Sequence, residues 1–194
     1  RDLRMSRGLG DVYKRQMIER PAYMSELETF RDDHGHVKVI TGVRRCGKST
    51  LLLQFMDRLK NEGVSEEQIL MMNLESSDFD GIKDHTNLNA YLKDKVPAKG
   101  RFYLFLDEIQ RVKDWEKTVN ALMVDTEADI YVTGSNAHLL STDLATYLTG
   151  RYVEIRMLPL SFQEYMELRG NGRRIEDVLE EYITTGGFPG IDPT

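Results

Sequence analysis

One cysteine, Cys46, stands alone among 194 residues, so no disulfide can form within the chain, and the composition fits a reducing, cytoplasmic setting. No apolar run approaches the roughly 18 residues that a membrane-spanning helix needs. No charged n-region followed by an apolar h-region marks a secretory signal. Internal repeats and low-complexity tracts are also missing. Positive charge is in deficit: 26 Lys and Arg against 32 Asp and Glu leave a formal charge of −6. An acidic body is a poor match for nonspecific nucleic-acid binding, which needs a basic face.

What remains is an ordinary globular balance, with 40% hydrophobic and 30% charged residues. The length suits one α/β core and the beginning of a second unit. Residues 1–16 differ from the rest. They hold five basic residues (Arg1, Arg4, Arg7, Lys14, Arg15) and two acidic ones (Asp2, Asp11), a balance of +3, so the remainder carries −6 − 3 = −9. This stretch shows neither helical nor strand periodicity, and Gly10-Asp11-Val12-Tyr13-Lys14-Arg15-Gln16 resembles a translated assembly scar. The expectation is a disordered or artefactual leader over 1–16, the alternative being a basic arm for a partner; Met17-Ile18-Glu19-Arg20-Pro21 reads as the natural start.

From Met17 onward strands alternate with helices. A short helix is expected between Met17 and Arg31, and Val37 to Thr41 is a β-rich run ending in glycine. Lys48 to Lys60 carries the stripe Leu52, Phe55, Met56, Leu59 of a helix packed on a sheet. Ile69 to Leu74 reads as a second strand, and the continuous apolar run Phe102 to Leu106 as a strand buried on both faces. A helix over Trp115–Met123, a strand over Asp129–Thr133 and another over Tyr152–Met157 follow. This order predicts an α/β fold: a mostly parallel sheet with helices on both faces. After Pro159, Phe162–Arg169 and Ile175–Ile183 read as helices separated by Gly170-Asn171-Gly172. The expected organisation is a core over 17–165 and the start of a helical lid over 166–194, cut before it closes.

The string Gly42-Val43-Arg44-Arg45-Cys46-Gly47-Lys48-Ser49-Thr50 fits the phosphate-binding pattern G-x-x-x-x-G-K-[ST], and it lies where that pattern requires, between a strand and an amphipathic helix. Gly42 and Gly47 let the backbone curl so that successive N–H groups face one anion. Lys48 brings a cation to the β- and γ-phosphates, the Ser49 hydroxyl is suited to Mg²⁺, and the helix offers its positive end. A chance glycine turn is the bland reading. Cys46 lacks the partner cysteines that a redox or metal role requires and reads as a small residue in a tight turn. Arg44 and Arg45 either help to bind phosphate or are simply solvated.

Asp107 and Glu108 end the apolar strand Tyr103-Leu104-Phe105-Leu106. In a doubly wound sheet that edge faces the P-loop, so Asp107 is expected to hold Mg²⁺ through its water shell and Glu108 to orient and deprotonate the attacking water. Two acids capping a following helix are the structural alternative. The next strand ends in Gly134-Ser135-Asn136, where Asn136, or failing that Ser135, could reach the γ-phosphate or the water; a plain turn is the alternative. Arg151, between a helical stretch and the last strand, reads either as a transition-state arginine or as a structural salt bridge.

Taken together, Ile40-Thr41-Gly42-Val43-Arg44-Arg45-Cys46-Gly47-Lys48-Ser49, Leu106-Asp107-Glu108-Ile109-Gln110, Gly134-Ser135-Asn136, Leu148-Thr149-Gly150-Arg151 and Pro159-Leu160-Ser161-Phe162 resemble a bacterial and archaeal ATPase family whose members carry an AAA domain followed by a DUF4143 region. The match runs from about Met17 to Pro189. The resemblance implies an AAA+ core of the type with a catalytic glutamate. It also implies a sensor role for Asn136 and an Arg151 that touches the γ-phosphate of a neighbouring copy in a homo-oligomer. Gly186-Gly187-Phe188-Pro189 would open the lid, with Pro189 near the adenine. The resemblance further implies a C-terminal region, related to restriction-endonuclease folds, that these 194 residues would not include. The ligands expected are ATP or ADP with Mg²⁺. Three activities compete: turnover of ATP, a STAND-type switch in which hydrolysis is a slow reset, and a nucleic-acid motor, against which the acidic body argues. A small-molecule kinase fits the Asp-Glu pair least.

Overall fold

The computed structural model describes residues 18–135 and 148–188. Five strands, β1 (Val37–Gly42), β2 (Ile69–Asn73), β3 (Phe102–Asp107), β4 (Ala128–Gly134) and β5 (Tyr152–Met157), pair in parallel in the order β2-β3-β4-β1-β5. The helices are α1 (Pro21–Thr29), α2 (Lys48–Asn61), α3 (His85–Leu92), α4 (Trp115–Asp125), α5 (Phe162–Arg169) and α6 (Ile175–Thr185). Because every strand runs the same way, the carboxyl ends of β1, β3 and β4 open at one edge of the sheet, with β4 between the other two.

The strands alternate their side chains between two cores. Ile40, Tyr103, Phe105, Tyr131 and Ile155 meet Leu51, Leu52, Phe55 and Leu59 of α2 and Leu27 of α1 on one face. Val37, Val39, Leu104, Leu106, Ile130 and Val132 meet Leu88 and Leu92 of α3 and Trp115, Val119 and Leu122 of α4 on the other. Burial of β1, β3 and β4 along their whole length explains their near-continuous apolar sequences. Phe105 stacks on Tyr131 with ring centroids 4.9 Å apart, and Phe55 of α2 tilts onto the same tyrosine at 5.3 Å.

Helix α3 falls in a stretch whose sequence reads as polar. Two local features form it: the Asp84 carboxylate accepts the N–H groups of Thr86 (2.9 Å) and Asn87 (3.0 Å), and Leu88 and Leu92 recur at i, i+4 toward the core. Helix α5 starts on a capping box in which Ser161 and Glu164 satisfy each other's backbone N–H groups. The division expected after residue 165 falls inside α5. Helices α5 and α6 share a small cluster of their own around Leu160, Tyr165 and Val178. Arg20, just before α1, ties the start of the fold to this region: it donates to the Leu158 carbonyl (2.7 Å) and to Glu164 (2.8 Å) and lies over the Tyr23 ring.

At the amino ends of the central strands a buried ion pair replaces apolar packing. Lys38 of β1 and Asp129 of β4 are both essentially inaccessible, and the Lys38 ammonium donates to the Asp129 carboxylate and to the Asp33 carbonyl. Asp129 also accepts from the Asp32 N–H (2.9 Å) and the Tyr131 hydroxyl (2.8 Å). A buried pair of this kind adds little net stability over an apolar one, but breaking it strands a charge. Lys38→Met should therefore destabilise the fold by about 3–5 kcal/mol, read as a lowered urea midpoint. Tyr131→Phe, which removes one of several donors, should cost about 1 kcal/mol.

Candidate active site

Strand β1 delivers the chain into a tight loop that ends at the N-terminus of α2. Gly42 has no room for a side chain: a Cβ would lie 2.5 Å from the Met157 carbonyl oxygen and 2.7 Å from the Cys46 sulfur. Gly47 caps α2 in the left-handed region (φ 101°), and Arg45 also takes a left-handed turn (φ 68°), so the segment is curled and not extended. Cys46 is buried beneath the loop beside Gly42, and burial pushes its thiol up, which suits a packing residue. Val43, Arg44 and Arg45 face solvent, while Ser49 and Thr50 are partly covered. Arg44 pairs with Glu75, an acid that Arg111 also holds at 2.7 Å, so Arg44 is engaged at the rim of the sheet.

Lys48 is buried, with its ammonium donating to the carbonyls of Gly42 and Val43 at 3.2 Å each. It lies under the loop, near enough to Asp107 to oppose electrostatically the loss of that carboxylate's charge. The Thr133 hydroxyl of β4 donates to Asp107, and Ser49 at the start of α2 lies close enough to favour its charged form. Burial pushes the Asp107 carboxyl above its ordinary value; the two hydroxyls and Lys48 act against that shift, and neighbouring Glu108 adds to it. Thr133 also accepts the backbone N–H of Glu108 at 3.1 Å, so one hydroxyl fixes both acids.

Glu108 itself adopts a left-handed conformation (φ 55°, ψ 45°) as the chain leaves β3, which turns it out of the strand's alternation and into the rim. Its carboxylate accepts from the Gln110 amide. The sequence motifs do not include Thr133, and they give Gln110, which closes Leu106-Asp107-Glu108-Ile109-Gln110, no role. Thr133 reads simply as the last β-branched residue of a strand, and only the pairing of β4 between β1 and β3 reveals what it touches.

Arg151 does not join this group within one chain. Arg151 sits at the amino end of β5, where its carbonyl accepts from Val37 at the start of β1, and its guanidinium reaches Asn120 of α4. A six-residue strand separates that position from the P-loop, roughly 20 Å. Any contact of Arg151 with a phosphate thus needs a second copy. Ser135 is partly exposed at the end of β4. Asn136 and Pro189 lie outside the described residues.

The donor set fits a magnesium-bound triphosphate. Ser49 would offer an oxygen ligand, which Mg²⁺ prefers, and Asp107 a carboxylate to hold the ion's water shell; among the described residues no cluster of three or more His, Cys, Asp or Glu competes for an ion. An ion at this place would draw the rest of its shell from phosphate oxygens and water.

Comparison with known proteins agrees with this architecture. A family model described as an AAA domain matches residues 34–166. An uncharacterized protein of Haemophilus influenzae is 44% identical over 179 residues, which is 90% of this chain and 44% of the relative. Two uncharacterized proteins of Methanocaldococcus jannaschii are 34% identical over 165 residues and 31% identical over 158, covering 80% and 78% of this chain but 36% and 32% of their own lengths. The chain therefore spans less than half the length of these curated relatives. Among solved structures, a DNA polymerase III gamma subunit-related protein from Thermotoga maritima superposes with a TM-score of 0.52 at 12% identity, over 83% of this chain and 57% of that one, a likeness of fold. The chain belongs to the AAA domain family, and its core is a P-loop fold of the AAA type.

The upward displacement of Asp107 carries a signed consequence. The folded chain holds the Asp107 proton more tightly than the unfolded chain, so this residue costs stability as pH rises above its ordinary value of 3.8. Asp107→Asn, which keeps the shape without the charge, should melt at a higher temperature than wild type at pH 7, and the gap should close as pH falls below that value. Thermal denaturation across pH checks this.

Proposed function

We propose that this chain binds ATP with Mg²⁺ on the loop 42–50 and hydrolyses it. The observation that carries the proposal is the curled loop closed by Gly42 and Gly47, with Lys48 buried beneath it, beside a strand end whose two acids, Asp107 and Glu108, are both held by Thr133. The chemistry then follows from the residues. Loop amides from Val43 to Thr50 cradle the β- and γ-phosphates, and Lys48 exchanges its two carbonyl partners for phosphate oxygens. When bound through Ser49 and Asp107, Mg²⁺ would offset charge on the β- and γ-oxygens. Glu108 accepts the proton of a water whose oxygen attacks the γ-phosphorus, and the bond to the β-bridging oxygen breaks to leave ADP.

Finer assignments belong to the same proposal. Residues 17–165 form the ATPase core, α5 and α6 begin a lid, and Arg151 serves a neighbouring copy in a homo-oligomer. Asn136 senses the γ-phosphate, Pro189 lies by the adenine, and a longer protein of this family carries a DUF4143 region after the lid.

Steady-state phosphate release and nucleotide affinity, measured side by side, test the reading. Lys48→Ala should abolish both. Glu108→Gln should keep ATP binding while slowing phosphate release by about 100-fold or more. Phosphate release that is unchanged in Glu108→Gln would remove Glu108 as the base. Binding without turnover in the wild type would favour a nucleotide-held switch.

A further inference from the structure

Gln110 occupies a place that stability alone does not explain. It lies in the single 3₁₀ turn Ile109–Arg111 that follows Glu108, anchored by Ile109, which is fully buried against the α3 and α4 side of the sheet. Its amide nitrogen donates to Oε2 of Glu108. Its amide oxygen is buried and has no hydrogen-bond partner among the described residues. Exchanging the two ends of the amide would not help, because the oxygen would then face a carboxylate. A buried acceptor left unpaired costs stability, and an apolar side chain of similar length would avoid that cost. The arrangement makes sense if what matters is the donor end.

We propose that Gln110 is a positioning residue for hydrolysis, acting through Glu108; this rests on the reading of Glu108 as the base. Glu108 is fixed at its backbone by the Thr133 hydroxyl and at its side chain by Gln110. One carboxylate oxygen is thereby engaged, and Oε1 is left to take the proton of the attacking water. A glutamate carries three rotatable side-chain bonds, and an unrestrained one would spend most of its time out of line with the water; small misplacements of a reacting group are costly in rate. The clamp spans only two residues, so it travels with the turn and does not depend on the rest of the site.

The test is Gln110→Met in the full chain, with kcat, KM for ATP and melting temperature measured together. Methionine keeps the length of the side chain and removes both the donor and the unpaired acceptor. The expected result is a kcat lowered by about tenfold with KM within about twofold, a melting temperature equal to or above wild type, and no further loss when Gln110→Met is added to Glu108→Gln. A kcat that is unchanged or raised, a loss of kcat that accompanies a fall in melting temperature, or an equal loss in the Glu108→Gln background would each overturn the proposal. Failure of the underlying reading is separable. A wild type without turnover, or one indifferent to Glu108→Gln, sinks both. Turnover that is lost in Glu108→Gln but untouched by Gln110→Met sinks only the clamp.

Discussion

A carboxylate that its surroundings disfavour sits at the centre of this fold. Asp107 is almost wholly buried, and its charge is opposed by desolvation and by Glu108 next door. What retains it is the hydroxyl of Thr133 from the neighbouring strand, with Ser49 from the helix after the phosphate loop and the Lys48 ammonium close enough to favour the charge. Those contacts exist because β1, β4 and β3 lie side by side and end together. A one-residue slip in register would turn the alternation of β3 over and send Asp107 to the wrong face. The site is thus a property of the sheet's register, and the loop sequence supplies only half of it.

The frame resists such a slip in two ways. On one face, the Phe105–Tyr131 stack and the Phe55 ring of α2 lock β3, β4 and the helix of the phosphate loop together. At the amino ends of β1 and β4, Lys38 and Asp129 form a pair that is satisfied only in one alignment. Apolar packing tolerates small shifts, whereas an ion pair with several hydrogen bonds does not. Structural polarity at one end of the strands and functional polarity at the other are separated by a continuous hydrophobic middle.

Much of this was legible in the sequence because its signals are local. Glycine and lysine spacing marks the loop, continuous apolar runs mark strands covered on both faces, and the adjacent acids mark a strand end. Strand and helix limits move by only a few residues, as with β2, which ends at Asn73, and α6, which continues to Thr185. Helix α3 escapes because its capping aspartate and two leucines are a weaker pattern than its polar majority. Thr133, and the part played by Gln110, escape for a different reason. Their importance lies in what they touch across strands or across a left-handed turn, and no spacing rule encodes either. Arg151 was visible as a candidate, yet only the topology places it at the far end of the sheet, bonded to Asn120, where it can serve a phosphate only in another copy.

The central claim is that loop amides, Lys48, Ser49 and Asp107 form one site for a magnesium-bound triphosphate. Calorimetric titration of the wild-type chain with ATP, with and without Mg²⁺, addresses it most directly. The account predicts one site per chain whose affinity rises when Mg²⁺ is present, because Ser49 and Asp107 meet the nucleotide through the ion. Affinity indifferent to Mg²⁺, or no binding of ATP at all, would contradict it.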